Sequence, residues 1–140
     1  MSFTIRQRER ESVTILELQG SLGVGEAASM LRDKLRDLLA ANRRNVVLDL
    51  GGVSYVDSTG LGAMVVCFTQ LQKSGGRLVL LNLKRRQLEL LLLTKLSTVF
   101  ELFDDEQDAV NSFFPGRRIR RFDILRFVEQ QRGAEPAAEE

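Results

Sequence analysis

The chain contains no histidine. That removes the commonest general base at neutral pH, the Ser-His-Asp triad, and most zinc and iron sites. Cys67 is its one cysteine, so neither an intrachain disulfide nor a cysteine-built zinc site can form. An excess of one charge is missing too: 20 Lys and Arg stand against 19 Asp and Glu, a formal net charge of +1. No global field draws the molecule to nucleic acid or to an anionic membrane, and direct DNA binding is not expected. Eleven glycines and two prolines are an ordinary share, which excludes collagen-like repeats and a wholly disordered chain. The richest apolar stretch, residues 61–71, is too short to cross a bilayer and carries Thr69 and Gln70. Residues 1–6 lack the apolar core of a signal peptide, so a cytoplasmic setting without a membrane span is the expectation.

What remains is 140 residues, 44% of them hydrophobic and 28% charged. One domain of that size buries roughly two-thirds of its unfolded surface. Residues 3–8 alternate apolar and polar, and residues 13–18 are β-rich and end near Gly20, so the two predict an antiparallel edge pair. From Glu26 the pattern turns helical, with Ala27, Leu31, Leu35, Leu38 and Leu39 on one face. Val46-Val47-Leu48-Asp49-Leu50 reads as a strand covered on both faces, followed by Gly51-Gly52 and a further segment, residues 53–56. A second helix puts Leu61, Met64, Val65, Phe68 and Leu71 on one stripe and stops at Gly75. A strand at 77–81, a Leu-rich helix at 87–95, a strand at 99–103 and a helix capped by Asp104 complete the core. Strands alternating with helices predict one α/β domain over residues 1–114: a mixed, mostly parallel sheet of four to five strands packed with four helices.

The C-terminal segment has another character. Six arginines between Arg117 and Arg132 face Asp123 and Glu129, a local surplus of four positive charges. Asp123 reads as the N-cap of an extra short helix, with Phe122 and Phe127 as its hydrophobic staple and Gly133 as its stop. Residues 115–132 are thus a basic linker and helix, and residues 133–140 an acidic disordered tail. The arginines are either a docking arm or a solvated linker whose helix packs back on the domain.

Three segments invite a chemical reading. Asp57-Ser58-Thr59-Gly60-Leu61-Gly62 lies between a strand end and a helix start. Asp, Ser and Thr there satisfy the unpaired N–H groups of the first turn, and redundant capping is one account of them. The other account starts from their number, since three capping residues exceed what one cap needs. A spare hydroxyl at a helix N-terminus can take a phosphate, whose added charge the N–H groups tolerate. Gly60 and Gly62 would keep the turn slim enough for another protein to approach. Gly23-Val24-Gly25-Glu26-Ala27-Ala28 matches a dinucleotide-binding fingerprint, but the same glycines serve as a turn into a helix. Asp104, Asp105, Glu106 and Asp108 cluster as a metal site would, and equally suit a helix N-terminus. Asp49 stands near Asp57 in this order and is a candidate to orient Ser58; Cys67, beside Val66 and Phe68, reads as a core thiol.

Val46-Val47-Leu48-Asp49-Leu50, a short spacer and Val56-Asp57-Ser58-Thr59-Gly60-Leu61-Gly62 together resemble the signature of STAS domains, which include the bacterial anti-sigma factor antagonists. The resemblance runs from about residue 3 to residue 113 and takes in Gly20, Asn82 and Leu96-Ser97-Thr98-Val99-Phe100-Glu101. It implies no enzyme activity, no catalytic or metal-ligating residue and no cofactor of the chain's own. It implies that Ser58 is phosphorylated, with Thr59 as the secondary acceptor, by a partner that is both anti-sigma factor and serine kinase. ATP and magnesium belong to that kinase, and a phosphatase resets the switch. Asp57 would orient the hydroxyl; Asp57, Thr59, Gly60, Leu61, Gly62, Gly23 and Glu26 would form the partner surface. The chain departs from the pattern where many antagonists carry an acidic residue, three positions after Gly20; that position is Gly23, and Glu26 is the nearest acid. The alternative within the same resemblance is a scaffold subunit of a signalling or transporter complex, without a phospho-switch. A homo-oligomer is compatible with either.

Overall fold

The computed structural model describes residues 3–134. The first hairpin, β1 (Thr4–Arg10) and β2 (Val13–Leu22), turns at Glu11 and Ser12, both in left-handed backbone. α1 (Glu26–Ala40), β3 (Asn45–Val56), α2 (Ser58–Lys73), β4 (Arg77–Leu81), α3 (Arg85–Leu93), β5 (Glu101–Phe103) and α4 (Glu106–Asn111) follow, and α5 (Ile124–Ala134) comes last. The sheet order is β1-β2-β3-β4-β5, with β1 antiparallel to β2 and every later pair parallel. The expected mixed α/β sheet and its antiparallel edge are both present.

Period-two alternation divides the core between the two faces. Leu16, Leu18, Val46, Leu48, Leu50, Leu78 and Leu80 meet α1, α2 and α3 on one face. Val13, Ile15, Val47, Val79, Leu81 and Phe103 meet Ala109 and Val110 of α4 on the other. Burial on both faces is why residues 46–48 read as an unbroken apolar run. Cys67 sits in the first cluster, and burial pushes its thiol up to about 12, as a core thiol requires.

Several boundaries move. β3 does not stop at Gly51-Gly52; it runs through them to Val56, because β2 keeps pairing alongside after register shifts at Glu17/Gln19 and Gly20/Ser21. α3 begins at Arg85 rather than 87, since Gln87 Oε1 accepts from Lys84 N at 2.8 Å and closes its first turn. A 3₁₀ turn, Leu96–Thr98, comes just before the expected 99–103 strand, Val99 and Phe100 complete the bend out of it, and β5 keeps only Glu101–Phe103. Asp105, not Asp104, caps α4: it accepts from Asp108 N at 3.0 Å. Glu106 of the same acidic cluster is held by Arg8 and Arg10 of β1, and those guanidiniums keep its carboxyl below the usual range. Among the described residues no group of acids is arranged to hold a metal ion, and no helix is long and apolar enough to cross a membrane.

The C-terminal segment lies against the domain. Phe122 N donates to Leu102 O at 2.8 Å, which covers part of the free edge of β5. Ile119 packs on the α4-side core, while Phe122, Ile124 and Phe127 pack on the other. Arg121 binds Glu101 at 3.0 Å, and Arg117 binds Glu11 at 2.9 Å while stacking over Phe114 at 4.0 Å. Asp123 caps α5 as expected, accepting from Arg126 N at 3.1 Å, with the Phe122 and Phe127 rings 6.2 Å apart. α5 passes through Gly133 to Ala134, because this glycine lies within the helix rather than after it. The acidic tail expected beyond it falls on residues 135–140, outside the described residues. Ending the chain at Phe114 is expected to lower the free energy of unfolding by about 3 kcal/mol, from four large apolar side chains partly buried. Urea unfolding of the shortened and full chains checks this; equal midpoints would make the segment a free arm.

Candidate functional site

The parallel strands end on one side of the sheet, and there β3 passes into α2 through Asp57. Its extended backbone (φ −99°) places it as the N-cap of α2. Oδ1 accepts from Gly60 N at 2.9 Å and Oδ2 from Val24 N at 3.0 Å. One carboxylate thereby caps α2 and also fastens the loop between β2 and α1. The N–H groups of Gly60, then Val24 and Thr59, hold the Asp57 carboxyl below the ordinary aspartate range. A carboxyl lowered on folding contributes stability above its unfolded pKa and loses it as pH falls through the folded value. Asp57→Asn is therefore expected to melt lower than the parent at neutral pH, with the gap closing as pH falls below the ordinary aspartate range. Melting curves across that range read it directly.

Asp57 thus acts here as a cap, and among the described residues no bond joins its carboxylate to the Ser58 hydroxyl. Asp49 does not reach Ser58 either. Its Oδ1 accepts from Gly51 N at 2.9 Å and from Asn82 Nδ2 at 3.1 Å, which ties the middle of β3 to the residue that follows β4. Ser58 and Thr59 are exposed on the first turn of α2, and among the described residues neither hydroxyl has a hydrogen-bond partner. Capping is complete without them.

The neighbouring glycines have different tasks. A Cβ on Gly60 would run into the carbonyl of Leu22, so α2 rests directly on the end of β2. Its slimness serves this internal contact. Gly62 is exposed, with open space where a Cβ would be. Gly23 is buried, and a Cβ there would strike the Asp57 carboxylate. An acidic residue at 23 would have to displace the cap, so the departure at this position goes with the way Asp57 is held. Glu26 is exposed at the start of α1, and Leu61 is buried at 7% exposure. Thr59, Gly62 and Glu26 are thus on the surface, whereas Gly60, Leu61 and Gly23 shape it from beneath. In the dinucleotide-like loop, Gly25 takes a positive φ of 96° ahead of α1 and Val24 N is already bound by Asp57, as a turn into a helix requires.

A groove of about 430 Å³ runs from Ser58 to α3, lined by Tyr55, Asp57, Ser58, Arg86, Leu90 and their neighbours. Tyr55 is 55% exposed, and Val24 on the other side of Asp57 is 76% exposed. These apolar groups beside the hydroxyl were not legible as site residues in the sequence. An exposed tyrosine two places before the motif aspartate is the one local signal; the α3 wall comes from tertiary packing alone.

The STAS domain profile matches residues 4–109. The anti-sigma-B factor antagonist of Bacillus subtilis is 33% identical over 110 residues, covering 79% of this chain and 99% of its own. That of Listeria monocytogenes is 32% identical over 106 residues, covering 73% and 88%. A crystal structure of an anti-sigma factor antagonist from Mycobacterium paratuberculosis superposes with a TM-score of 0.70 at 22% identity, over 79% of this chain and 93% of that one. The matched region contains the whole sheet and the β3–α2 junction, and it ends inside α4, ahead of the arginine-rich segment. With the Asp57 cap at its centre, the chain belongs to the STAS domain family.

Proposed function

We propose that this chain is an anti-sigma factor antagonist, a regulator of transcription that acts by binding and performs no chemistry of its own. The observation that carries the reading is the uncommitted Ser58 hydroxyl. It stands exposed at the head of α2 while Asp57 alone completes the cap. The named relatives are regulatory binding proteins of this kind.

Unphosphorylated, the Ser58 face binds an anti-sigma factor with serine-kinase activity. Thr59, Gly62 and Glu26 lie on that face, and Gly23, Gly60 and Leu61 support it from below. The kinase transfers the γ-phosphoryl group of ATP to Ser58 Oγ. The new P–O bond forms as the bond to ADP breaks, and the hydroxyl proton passes to a base of the kinase. Nothing in the first turn must break to accept the ester, because the Ser58 hydroxyl holds no bond there. The phosphate brings about −1.5 to −2 of charge. Set beside apolar Tyr55 and Val24, which an interface would desolvate, that charge opposes the complex. A phosphatase restores the hydroxyl by hydrolysis. Incubation with ATP in host extract, followed by phosphopeptide mapping, tests the acceptor: the label is expected on Ser58 and absent from Ser58→Ala. Label retained by that variant would move the acceptor to Thr59, and no label in either would favour the scaffold alternative.

A further inference from the structure

α3 supplies a wall of the Ser58 groove, and its first turn is fixed to the strand that delivers Ser58. Lys84 Nζ donates to the Val53 carbonyl at 2.8 Å, and Gln87 Nε2 donates to the same oxygen at 3.1 Å. Gln87 is buried, and its Oε1 closes the turn on Lys84 N. Val53 lies on β3, four residues before Asp57. Arg86 sits between the two anchoring residues, so its backbone is held at a set position relative to Ser58. Its side chain is exposed, lines the same groove as Ser58, and has no carboxylate partner among the described residues. The other charged side chain lining that groove is Asp57, whose two oxygens are occupied by N–H groups.

We propose that Arg86 is the intramolecular receptor for a phosphate on Ser58, and that its closure over the ester fills the groove. The inference rests on the reading of Ser58 as a phosphoacceptor. A dianion placed next to the Asp57 carboxylate needs a counter-charge, and α3 presents one with no other engagement. A guanidinium is suited to the task, since its planar fork gives two parallel N–H···O bonds to a phosphate. Its closure also covers Tyr55 and Leu90, the apolar surface a partner would use. Release is then driven by loss of the docking groove as well as by charge.

The test places phosphoserine at position 58 during translation, so that no kinase is needed. The second ionisation of the phosphate, ordinarily near pH 6, is followed by ³¹P NMR in the otherwise native chain, in Arg86→Gln and in Arg86→Lys. The native arginine is expected to lower that pKa by about half a unit relative to Arg86→Gln, with lysine between them. The difference shrinks as salt is raised. Equal pKa values in the arginine and glutamine proteins would overturn the proposal. The unmodified Arg86→Gln protein is expected to melt with the unmodified native chain, since Arg86 makes no bond to lose among the described residues. Binding of the phosphoserine protein to a purified kinase anti-sigma factor is read separately. Undiminished binding would defeat the switch reading of Ser58, while the pKa comparison alone decides the Arg86 contact.

Discussion

Gly60→Ala is expected to lower the free energy of unfolding by about 3 kcal/mol, the upper part of the range for an added carbon that backbone must move to admit. The added Cβ meets the Leu22 carbonyl, which already accepts from Asp57 N at 3.2 Å, so the helix and not a flexible side chain has to give way. Shifting α2 away from β2 also strains the Asp57 bonds to Gly60 N and Val24 N, which together position the Ser58 turn. Stability and partner binding are therefore lost together. Gly62→Ala is the control, two residues on. Its Cβ meets nothing, and replacing an exposed helical glycine by alanine is expected to stabilise by about 0.5–1 kcal/mol. If Gly62 faces the partner closely, this variant melts higher yet binds more weakly. Urea unfolding and titration with a purified partner separate the two effects, and equal stability of both variants would remove the distinction drawn between these glycines.

Phosphorylation of Ser58 is expected to weaken the complex with a kinase anti-sigma factor by about a hundredfold or more, since a misplaced charge in an interface costs several kcal/mol. Ser58→Asp carries a smaller charge and a shorter reach, and an expected weakening of about tenfold follows. Ser58→Ala is expected to bind as the unmodified chain does and to stay bound when ATP is supplied. The hydroxyl makes no hydrogen bond among the described residues, so its removal disturbs no cap. Calorimetric titration of the three forms against one purified partner gives the order directly: alanine and native alike, aspartate weaker, phosphoserine weakest.

Much of this was legible in the sequence because local pattern and tertiary environment agree. The apolar run at 46–50 belongs to a strand covered on both faces, and Leu31, Leu35 and Leu38 repeat at helical spacing on the face of α1 that meets the core. The Asp57 cap follows from residue type alone. The misplaced boundaries occur where a distant partner decides. Gly51-Gly52 breaks a strand in isolation, but β2 and its register shifts carry β3 through it. α3 starts two residues early because Gln87 closes the first turn on Lys84 N while both side chains are drawn to the distant Val53 carbonyl. At the site, a sequence shows which residues follow Asp57 but not that Val24 shares its carboxylate, that Gly60 is spent on Leu22, or that Arg86 stands across the groove. Each is a contact between elements separated along the chain.

The central claim is that the charge on Ser58 decides which proteins this chain holds. It is tested most directly by a paired capture from the native host, with Ser58→Ala and Ser58→Asp as baits and mass spectrometry as the readout. The expected result is a serine-kinase anti-sigma factor retained by the alanine bait and depleted from the aspartate bait. The same partners at the same abundance on both baits would contradict the claim, and would leave Ser58 as a surface residue of a scaffold.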